Sequence, residues 1–559
     1  MNTYHRTLNS KLSVGLCINY LDGKPAGKFN TVKTASDLVA FHVSRGESDK
    51  ALRILESLPE SDLIDNPNLY MDYIWALLCE RKFEQARIAR EFFESNSYRL
   101  LADVDGDEVK RFATDASVLG LLQFIFENDL NAISAEAMER VKTYLEAPSS
   151  YRYLITNIYA FLLFMNGRYE KSRFFAVQAK MANAERCDLY NYANSTVLIA
   201  LSDRALGRYD LAIKSIDNTI NECSELMDSP PGSILMMVKA MLLYDRNHLD
   251  ESRALISHSL TKLGMPAITE FMVHGYLVLA KIEIWQQRYD QASDILNQLI
   301  SKLDSAGYQR WSSAIRHEQM RTHIYRGDDA DKHALTEMER SLNYYNSRYC
   351  PAVGHIPLRT RLMVALHHRD FDLAANLLGQ LSQVCLLQRD SMLRIILLST
   401  TACVEYGRQH YEEACEYLNQ ALRTSQDTGI IRALFDEVTG FGELFHYALQ
   451  AGMIDHDVNQ ELLETLKTIN FRTQQKKQSV QVSSQRSATH EFESLTHTEQ
   501  RILLLLCQGL PNKSIASQCD INISTVKWHL KNIYSKLYVS NRTEAVLKAQ
   551  QYHLLEEAN

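Results

Sequence analysis

The sequence has few of the residues that interrupt helices. Its 559 residues include only 21 glycines and 10 prolines, while 46% of the chain is hydrophobic. Glycine and proline together make up roughly 12% of an average protein, so this chain has less than half of the usual share. The composition predicts an all-α protein. No apolar run approaches the roughly 20 residues that a membrane span needs, so no membrane partner is expected.

Cysteine pairs and metal-ligand clusters are also lacking. The 10 cysteines are scattered, with no CxxC pair and no cysteine and histidine cluster at zinc spacing. This pattern predicts neither a disulfide framework nor a metal site, and favours reduced thiols in a cytoplasmic protein. The segment LSVGLCINYL at 12–21 is the best candidate for a secretion signal, but it contains Ser13 and Asn19 and no small-residue cleavage site follows it.

An excess of basic charge and the common catalytic motifs are absent as well. Lysine and arginine number 60 against 68 acidic residues, which leaves a formal net charge of −8. This balance excludes a surface that binds nucleic acid throughout and allows only a local basic patch. The stretch GKPAGKF at 23–29 is no phosphate loop, because Asp22 and Phe29 stand where glycine and serine or threonine are required. We therefore expect a non-catalytic chain without a cofactor.

What the sequence does contain is an internal repeat of about 40 residues between 161 and 420. Each unit has a large apolar residue, an acidic residue directly after it and a small residue at the third position after it. The large residues are Tyr169, Tyr209, Leu249, Tyr289, Phe371 and Tyr411, and the small ones are Ser172, Ala212, Ser252, Ala292, Ala374 and Ala414. The 82 residues from Tyr289 to Phe371 leave room for one degenerate unit around 327–329, and looser versions occur at 45–51 and 81–86.

This repeat predicts pairs of helices joined by a tight turn. The large residue would plug the corner, the small residue would let the two helices approach closely, and the acidic residue would lie in a first helical turn, where the helix dipole favours it. Stacked pairs form a superhelical solenoid with a concave wall, which could bind an effector or act only as a spacer. We place this array at 35–450, after an N-terminal arm or cap at 1–34, and a terminal helix of the solenoid at 451–473.

The last part of the chain predicts a small, separate helical domain. Residues 474–490 are polar and carry Lys476, Lys477 and Arg486 without an acidic residue, which is typical of a flexible basic linker. From 491 to 559, capping residues predict four short helices: Thr496 with Glu499, then Gly509, Asn512 and Asn522, and finally Asn541 with Glu544. The second and third of these helices would form a helix-turn-helix.

The third helix of this domain has two unlike faces. A helical wheel places Val526, Leu530, Ile533 and Leu537 on one narrow stripe, which would pack with Ile515 and Ala516 of the second helix as the domain core. The opposite face carries Ser524, Trp528, Lys531 and Ser535, with Lys527 and Asn532 beside it. Between 512 and 548 there are six basic and two acidic residues, a local charge of +4 that suits a groove lined with phosphates.

Four motifs carry a resemblance to a known family. They are LT-x-x-E at 495–499, GLPNKSIA at 509–516, I-x-x-x-TVK-x-HL-x-NIY-x-KL at 521–537 and V-x-NRTEAV at 539–546. They resemble the DNA-binding domain of LuxR/NarL/GerE-type bacterial regulators, and the repeats are similar to the tetratricopeptide-type solenoid of MalT-like members. The chain departs from the pattern at Thr498, where arginine is usual, and at Pro511 and Ser514 in the second helix.

The resemblance implies a transcriptional regulator that binds double-stranded promoter DNA. Base contacts fall on Lys527, Trp528 and Lys531, although plain packing is an alternative for Trp528, and contacts with the DNA backbone fall on Asn512, Lys513, Ser524, Thr525, Asn532 and Ser535. It also implies binding as a homo-oligomer, contact with RNA polymerase, and a small-molecule or protein effector on the solenoid. MalT-like regulators carry an ATPase domain, which we do not find in this sequence. The alternative function is a non-catalytic scaffold that binds protein through the solenoid.

Overall fold

The computed structural model describes two compact units, Met1–Asn459 and Gln460–Asn559. The residues that it describes are 32–127, 135–186, 188–262, 270–306, 311–326, 355–438, 440–469, 497–508, 510–519, 521–536, 542, 545, 546 and 549. Over these residues the protein is helical and contains no strand, which confirms the predicted all-α class. No helix in these ranges is both long and apolar enough to cross a membrane.

The first unit begins with irregular helices and continues as regular pairs. The early helices are α1 (Val32–Ser44), α2 (Ser48–Glu56), α3 (Glu60–Ile64), α4 (Pro67–Cys79), α5 (Phe83–Leu100), α6 (Gly106–Glu127) and α7 (Ala135–Thr143). The pairs are α8 (Arg152–Met165) with α9 (Tyr169–Glu185), α10 (Leu189–Ala205) with α11 (Tyr209–Glu222), α12 (Pro230–Asp245) with α13 (Leu249–Lys262), and α14 (Glu270–Trp285) with α15 (Tyr289–Ala306).

The array continues to the end of the first unit. It comprises α16 (Ser312–Arg326), the pair α17 (Ile356–His367) and α18 (Phe371–Gln388), the pair α19 (Ser391–Gly407) and α20 (Tyr411–Thr428), and α21 (Phe441–Gln450). Short 3-10 turns occur at Ser224–Asp228 and Arg432–Leu434. The second unit contains helix α22 at 460–469, then α23 (His497–Cys507), α24 (Asn512–Cys519) and α25 (Ile523–Lys536).

Every large residue of the repeat is the first residue of a helix, which confirms the predicted turn between two helices. We call the helix before such a turn the A helix of its pair and the helix after the turn the B helix. The turn is a Schellman motif: Arg168 N–H donates to Leu163 O, and Gly167 between the helices has a φ of +71°. The same left-handed position is filled by Gly46, Arg81, Gly207, Asn247, Gln287, Arg369 and Gln409.

The corner residues differ more from unit to unit than the repeat predicted. Tyr169 and Tyr209 are buried, and the Tyr209 hydroxyl donates to Asp245 Oδ2 at 2.7 Å. Tyr411, by contrast, is 40% exposed, so the prediction of a plugged corner is wrong there. Its ring packs beside the rings of Tyr406 and Tyr447. The six small residues are all fully buried, as expected for positions where two helices approach closely.

The acidic residue of the repeat forms ion pairs in addition to its favourable position at the start of a helix. It lies in the first turn of a B helix, as predicted, and in four units it also pairs with an arginine at or just after the end of the first helix of the next unit. The pairs in the described units are Glu170–Arg208, Asp210–Arg246, Asp290–Arg326 and Asp372–Arg408. These ion pairs join consecutive units on the surface of the array.

After α20 the chain folds back across the A helices. We call residues 429–438 the strap. Ile431 N–H donates to Asp245 O of α12 at 2.8 Å, and the side chains of residues 432–438 are buried. The strap contacts the A helices α12 and α19, and α10 also contacts α19, so these A helices lie on the inner wall of the array. Part of the wall predicted to bind an effector is therefore occupied by the chain itself.

Several predictions fall outside the described residues. They are residues 1–31 of the predicted arm at 1–34, the degenerate unit around 327–329, the whole linker at 474–490, and the capping residues Thr496, Gly509, Asn541 and Glu544. Helix α1 begins at Val32, three residues before the predicted start of the array, and the division into compact units places 460–469 with the second unit. The domain boundaries remain predictions.

Candidate nucleic-acid interface

The helix-turn-helix domain is built around one apolar core. Helices α23, α24 and α25 contact one another, and Ala545 and Ala549, four residues apart, close the core from the last part of the chain. The buried members are Ile502, Leu503, Leu505, Leu506, Ile515, Ala516, Val526, Leu530, Ile533, Ala545 and Ala549. Five of the six predicted core residues are thus buried, and the sixth, Leu537, lies outside the described residues.

Two backbone hydrogen bonds set the turn between α24 and α25. Ile521 N–H donates to Ala516 O at 3.0 Å and closes the end of α24. Val526 N–H donates to Asn522 O at 3.0 Å, so Asn522 occupies the predicted N-cap position of α25. The predicted N-cap of α24 is wrong: Ile515 N–H donates to Pro511 O at 3.1 Å, which makes Pro511 the cap and Asn512 the first helical residue.

The face of α25 opposite the core carries two exposed cations. Lys527 and Lys531 are both exposed, while Val526, Leu530 and Ile533 are at most 5% exposed. The two lysines are four residues apart and therefore lie on one side, about 6 Å apart along the axis. Neither makes an ion pair or a hydrogen bond with a described side chain, so both ammonium groups are available to a ligand.

The other predicted contact residues are only partly described. Lys513 is exposed, and Asn512 and Thr525 are half-buried near the starts of α24 and α25. Amide groups at the start of a helix favour an anion, so these positions suit phosphate. Helix α25 also contains Trp528, Ser524, Asn532 and Ser535, but their side chains are outside the described part of the structure.

One basic residue of the domain has a structural role that sequence reasoning missed. Arg542, counted in the local charge of +4, donates through its guanidinium to Leu506 O at 3.3 Å and Leu510 O at 2.9 Å. It satisfies the carbonyl of Leu506 in the last turn of α23, where backbone donors of the same helix run out, and the carbonyl of Leu510 beyond the helix. Burial raises the pKa of Tyr534, and the nearby Arg542 opposes this shift. No local pattern shows this, because the partners are 32 and 36 residues away.

The described residues contain one group of three possible metal ligands, at a solenoid turn rather than in this domain. His410 Nδ1 lies 2.7 Å from Glu405 Oε2 and 3.4 Å from Glu413 Oε2. The pair of Glu405 with His410 has a counterpart at another turn, where Glu283 pairs with Arg288. An ion pair within the turn therefore explains the contact between Glu405 and His410.

These observations define the class of protein: an array of helical pairs combined with a helix-turn-helix domain. The chain belongs to the family with the MalT-like TPR region, whose model matches residues 116–451. Residues 493–549 match the model for bacterial regulatory proteins of the luxR family. Both matches confirm the resemblance seen in the sequence.

The similar curated proteins are transcriptional regulators and a response regulator. The HTH-type transcriptional regulator MalT of Vibrio cholerae serotype O1 is 24% identical over 62% of this chain and 39% of its own length. MalT of Klebsiella pneumoniae strain 342 is 23% identical over 89% of this chain and 55% of its own length. The response regulator protein VraR of Staphylococcus aureus is 49% identical over 65 residues, which are 12% of this chain and 31% of VraR. The chain thus spans about half of the length of the MalT proteins, or less.

Proposed function

We propose that this chain is a DNA-binding transcriptional regulator whose helix α25 reads the major groove of promoter DNA. The observation that carries the proposal is the pair of exposed lysines, Lys527 and Lys531, opposite the buried stripe of α25. A major groove about 12 Å wide admits one α-helix, and ammonium donors on successive turns can reach guanine O6 and N7. The match with the luxR family model supports this assignment.

The remaining proposed contacts with DNA are of two kinds, contacts with bases and contacts with the DNA backbone. Trp528, the residue after Lys527 in the sequence, takes part in base reading, because an indole suits a thymine methyl group. Asn512, Lys513, Ser524, Thr525, Asn532 and Ser535 hold the DNA backbone and thereby fix the position of α25 in the groove. Loss of a backbone contact weakens binding to every sequence alike, whereas loss of a base contact changes the preferred sequence.

The solenoid is the half that receives a signal. An array of helical pairs presents an extended surface, and the matched MalT proteins are named transcriptional regulators, which supports a small-molecule or protein effector for this chain. The proposal includes assembly of several copies on repeated DNA sites, contact with RNA polymerase and a location in the cytoplasm. It assigns no catalytic step and no cofactor to the described residues.

The direct experiment compares DNA binding by the wild type and by Lys527→Ala/Lys531→Ala. Immunoprecipitation of tagged protein from its native host, followed by sequencing of the bound DNA, should give sharp peaks for the wild type and none for the variant. On a duplex taken from one peak, the variant should bind at least about thirtyfold more weakly, since each of the two base contacts contributes roughly 1–3 kcal/mol.

A matched control removes the same charge from the solenoid. Lys171 and Lys214 are exposed on α9 and α11, and Lys171→Ala/Lys214→Ala should leave the peaks and the affinity unchanged. Equal, featureless profiles for all three proteins under several growth conditions would contradict the proposal. They would favour the alternative, a scaffold that binds protein through the solenoid.

A further inference from the structure

The strap is bounded by two glycines in the left-handed region of backbone conformation. Gly429 has a φ of +74° and Gly440, two residues after the strap, has a φ of +101°, a region that other residues rarely adopt. In the described part of the chain, a single main-chain to main-chain hydrogen bond joins the strap with another repeat, from Ile431 N–H to Asp245 O. The other backbone bonds of the strap are local, such as Asp436 N–H to Arg432 O. Side chains must therefore hold it in place.

The first of these side chains is Glu437, which is 7% exposed. Its carboxylate accepts from Arg359 at 2.6 Å and from Arg321, and its second oxygen lies 2.8 Å from His317 Nε2. Burial alone would raise the pKa of Glu437, but Arg321, Arg359 and His317 together hold that pKa well below its usual range. Glu437 is thus an ionised carboxylate held by cations of α16 and α17.

The second side chain is Asp436, which points to another repeat. Tyr244 of α12 donates its hydroxyl to Asp436 Oδ2 at 2.5 Å, and Arg432 of the strap pairs with the other oxygen. The Arg432 guanidinium also lies 4.3 Å from the centre of the Trp285 ring of α14. The two adjacent acidic residues are therefore bound by three different helices, α12, α16 and α17.

The cationic site is not fully satisfied by the strap. On the helices, the Nε groups of Arg321 and Arg359 are buried and have no hydrogen-bond partner, and the same holds for the Nε group of Arg432 within the strap. A buried donor without a partner is destabilising, so the docked state is less stable than one with every donor paired. Incomplete pairing of buried donors and a single backbone bond with another repeat favour local opening of the strap, while its buried apolar side chains, such as Leu434 and Val438, oppose it.

We propose that the strap is a reversible latch and that the wall beneath it is a binding site for an acidic peptide segment, here occupied by Asp436 and Glu437 of the same chain. Tyr244, His317, Arg321 and Arg359 form the receptor side of the site. The latch opens between Gly429 and Gly440 while the helical pairs stay folded, and opening exposes the receptor. Such a latch rests on the proposed function of the solenoid as the half that receives a signal.

Two experiments with the full-length chain test the latch without DNA, so their failure is distinct from failure of the DNA-binding proposal. The first is hydrogen exchange of the wild type, followed by mass spectrometry. Amides of the strap should exchange at least tenfold faster than those of α19, and their exchange should depend little on denaturant, because opening is local. Equal protection of the strap and α19 would overturn the proposal and make the strap a permanent part of the core.

The second experiment supplies the strap in trans. The receiver is the chain with Asp436→Asn/Glu437→Gln, and the probe is a fluorescent peptide of residues 427–440. The acidic peptide should bind the receiver at least tenfold more tightly than a peptide with the same two amide substitutions, and more tightly than it binds the wild type. Glu416→Gln removes an exposed carboxylate of α20 and should behave as the wild type. Equal binding of both peptides to a folded receiver would refute the site. If the receiver does not fold, the hydrogen-exchange experiment on the wild type decides whether the strap opens.

Discussion

Arg321 in the solenoid and Lys531 in the helix-turn-helix domain are both cations on helices, but their surroundings are opposite. Arg321 is 2% exposed and contacts two carboxylates, of Glu318 and Glu437. Lys531 is exposed and makes no ion pair with a described residue. The cation in the solenoid has its partner within the same chain, whereas the cation on α25 is left for a ligand.

This difference shows why net charge is a poor guide to function here. The chain is acidic overall, with a formal net charge of −8, yet the inner wall contains a dense cationic cluster. That cluster is neutralised by Glu318, Asp436 and Glu437, so it adds little to the field outside the protein. The field outside a protein is set mainly by charges without partners, such as Lys527 and Lys531 among the described residues.

The strongest test of the comparison is Arg321→Ala. It leaves Glu318 and Glu437 buried with fewer cations, and breaking a buried ion pair from one side costs about 3–5 kcal/mol. Urea unfolding should show a loss of this size for the first unit. Lys531→Ala should change the free energy of unfolding by less than about 0.5 kcal/mol, as expected for a surface residue. Similar losses from both variants would remove the distinction.

Arg542→Ala tests a cation of the helix-turn-helix domain that, unlike Lys531, has partners within the same chain. The substitution leaves Leu506 O and Leu510 O without the guanidinium, and a hydrogen bond from a charged group contributes about 1.5–3 kcal/mol. Thermal unfolding of the second unit should therefore begin at a lower temperature. At temperatures where the domain remains folded, DNA affinity should be nearly unchanged. A large loss of affinity in a fully folded domain would instead make Arg542 a DNA contact.

Lys513→Ala tests whether an exposed lysine proposed to contact the DNA backbone behaves differently from Lys531, which is proposed to contact bases. If Lys513 holds a phosphate, its removal should lower the slope of log affinity against log salt concentration by about 1, for specific and random duplexes alike. Lys531→Ala should mainly reduce the preference for the specific duplex. Titrations of both duplexes at several salt concentrations measure the two effects. An unchanged slope for Lys513→Ala would place Lys513 away from the DNA backbone.

The smallest expected effect belongs to an exposed pair on the solenoid. Arg408 pairs with Asp372 at 2.7 Å, but the Asp372 side chain is 95% exposed. Such pairs contribute little in water, so a double-mutant cycle with Arg408→Ala and Asp372→Ala should give a coupling energy of less than about 1 kcal/mol. A coupling as large as that expected for Arg321 would show that burial is not what separates strong pairs from weak ones.

The sequence predicts the local features of this protein well. The helical pairs, the first residues of the B helices and the buried stripe of α25 all follow from periodic patterns over a few turns of chain. These features depend on near neighbours, whose spacing a helix or a turn fixes. The two capping residues of the helix-turn-helix show the limit, because Asn522 has the predicted position but Asn512 lies one residue inside its helix.

Contacts between distant residues could not be predicted from the sequence. The strap reaches Tyr244, which is 192 residues from Asp436, and Arg542 reaches carbonyls more than 30 residues earlier. Both depend on how the helices pack, and packing is not expressed in a local pattern. The sequence consequently predicted an open wall for an effector, while the described chain fills part of that wall itself.

The long separation between the strap and its receptor has a consequence for the order of folding. Each helical pair closes through contacts within about 40 residues, so pairs can form one after another as the chain is synthesised. Tyr244 and Arg321 are made long before Glu437, and their contacts with the strap form only when nearly the whole array exists. Docking of the strap should therefore be the last and slowest step of assembly of the first unit, and newly made chains should pass through a state in which the cationic wall is still uncovered.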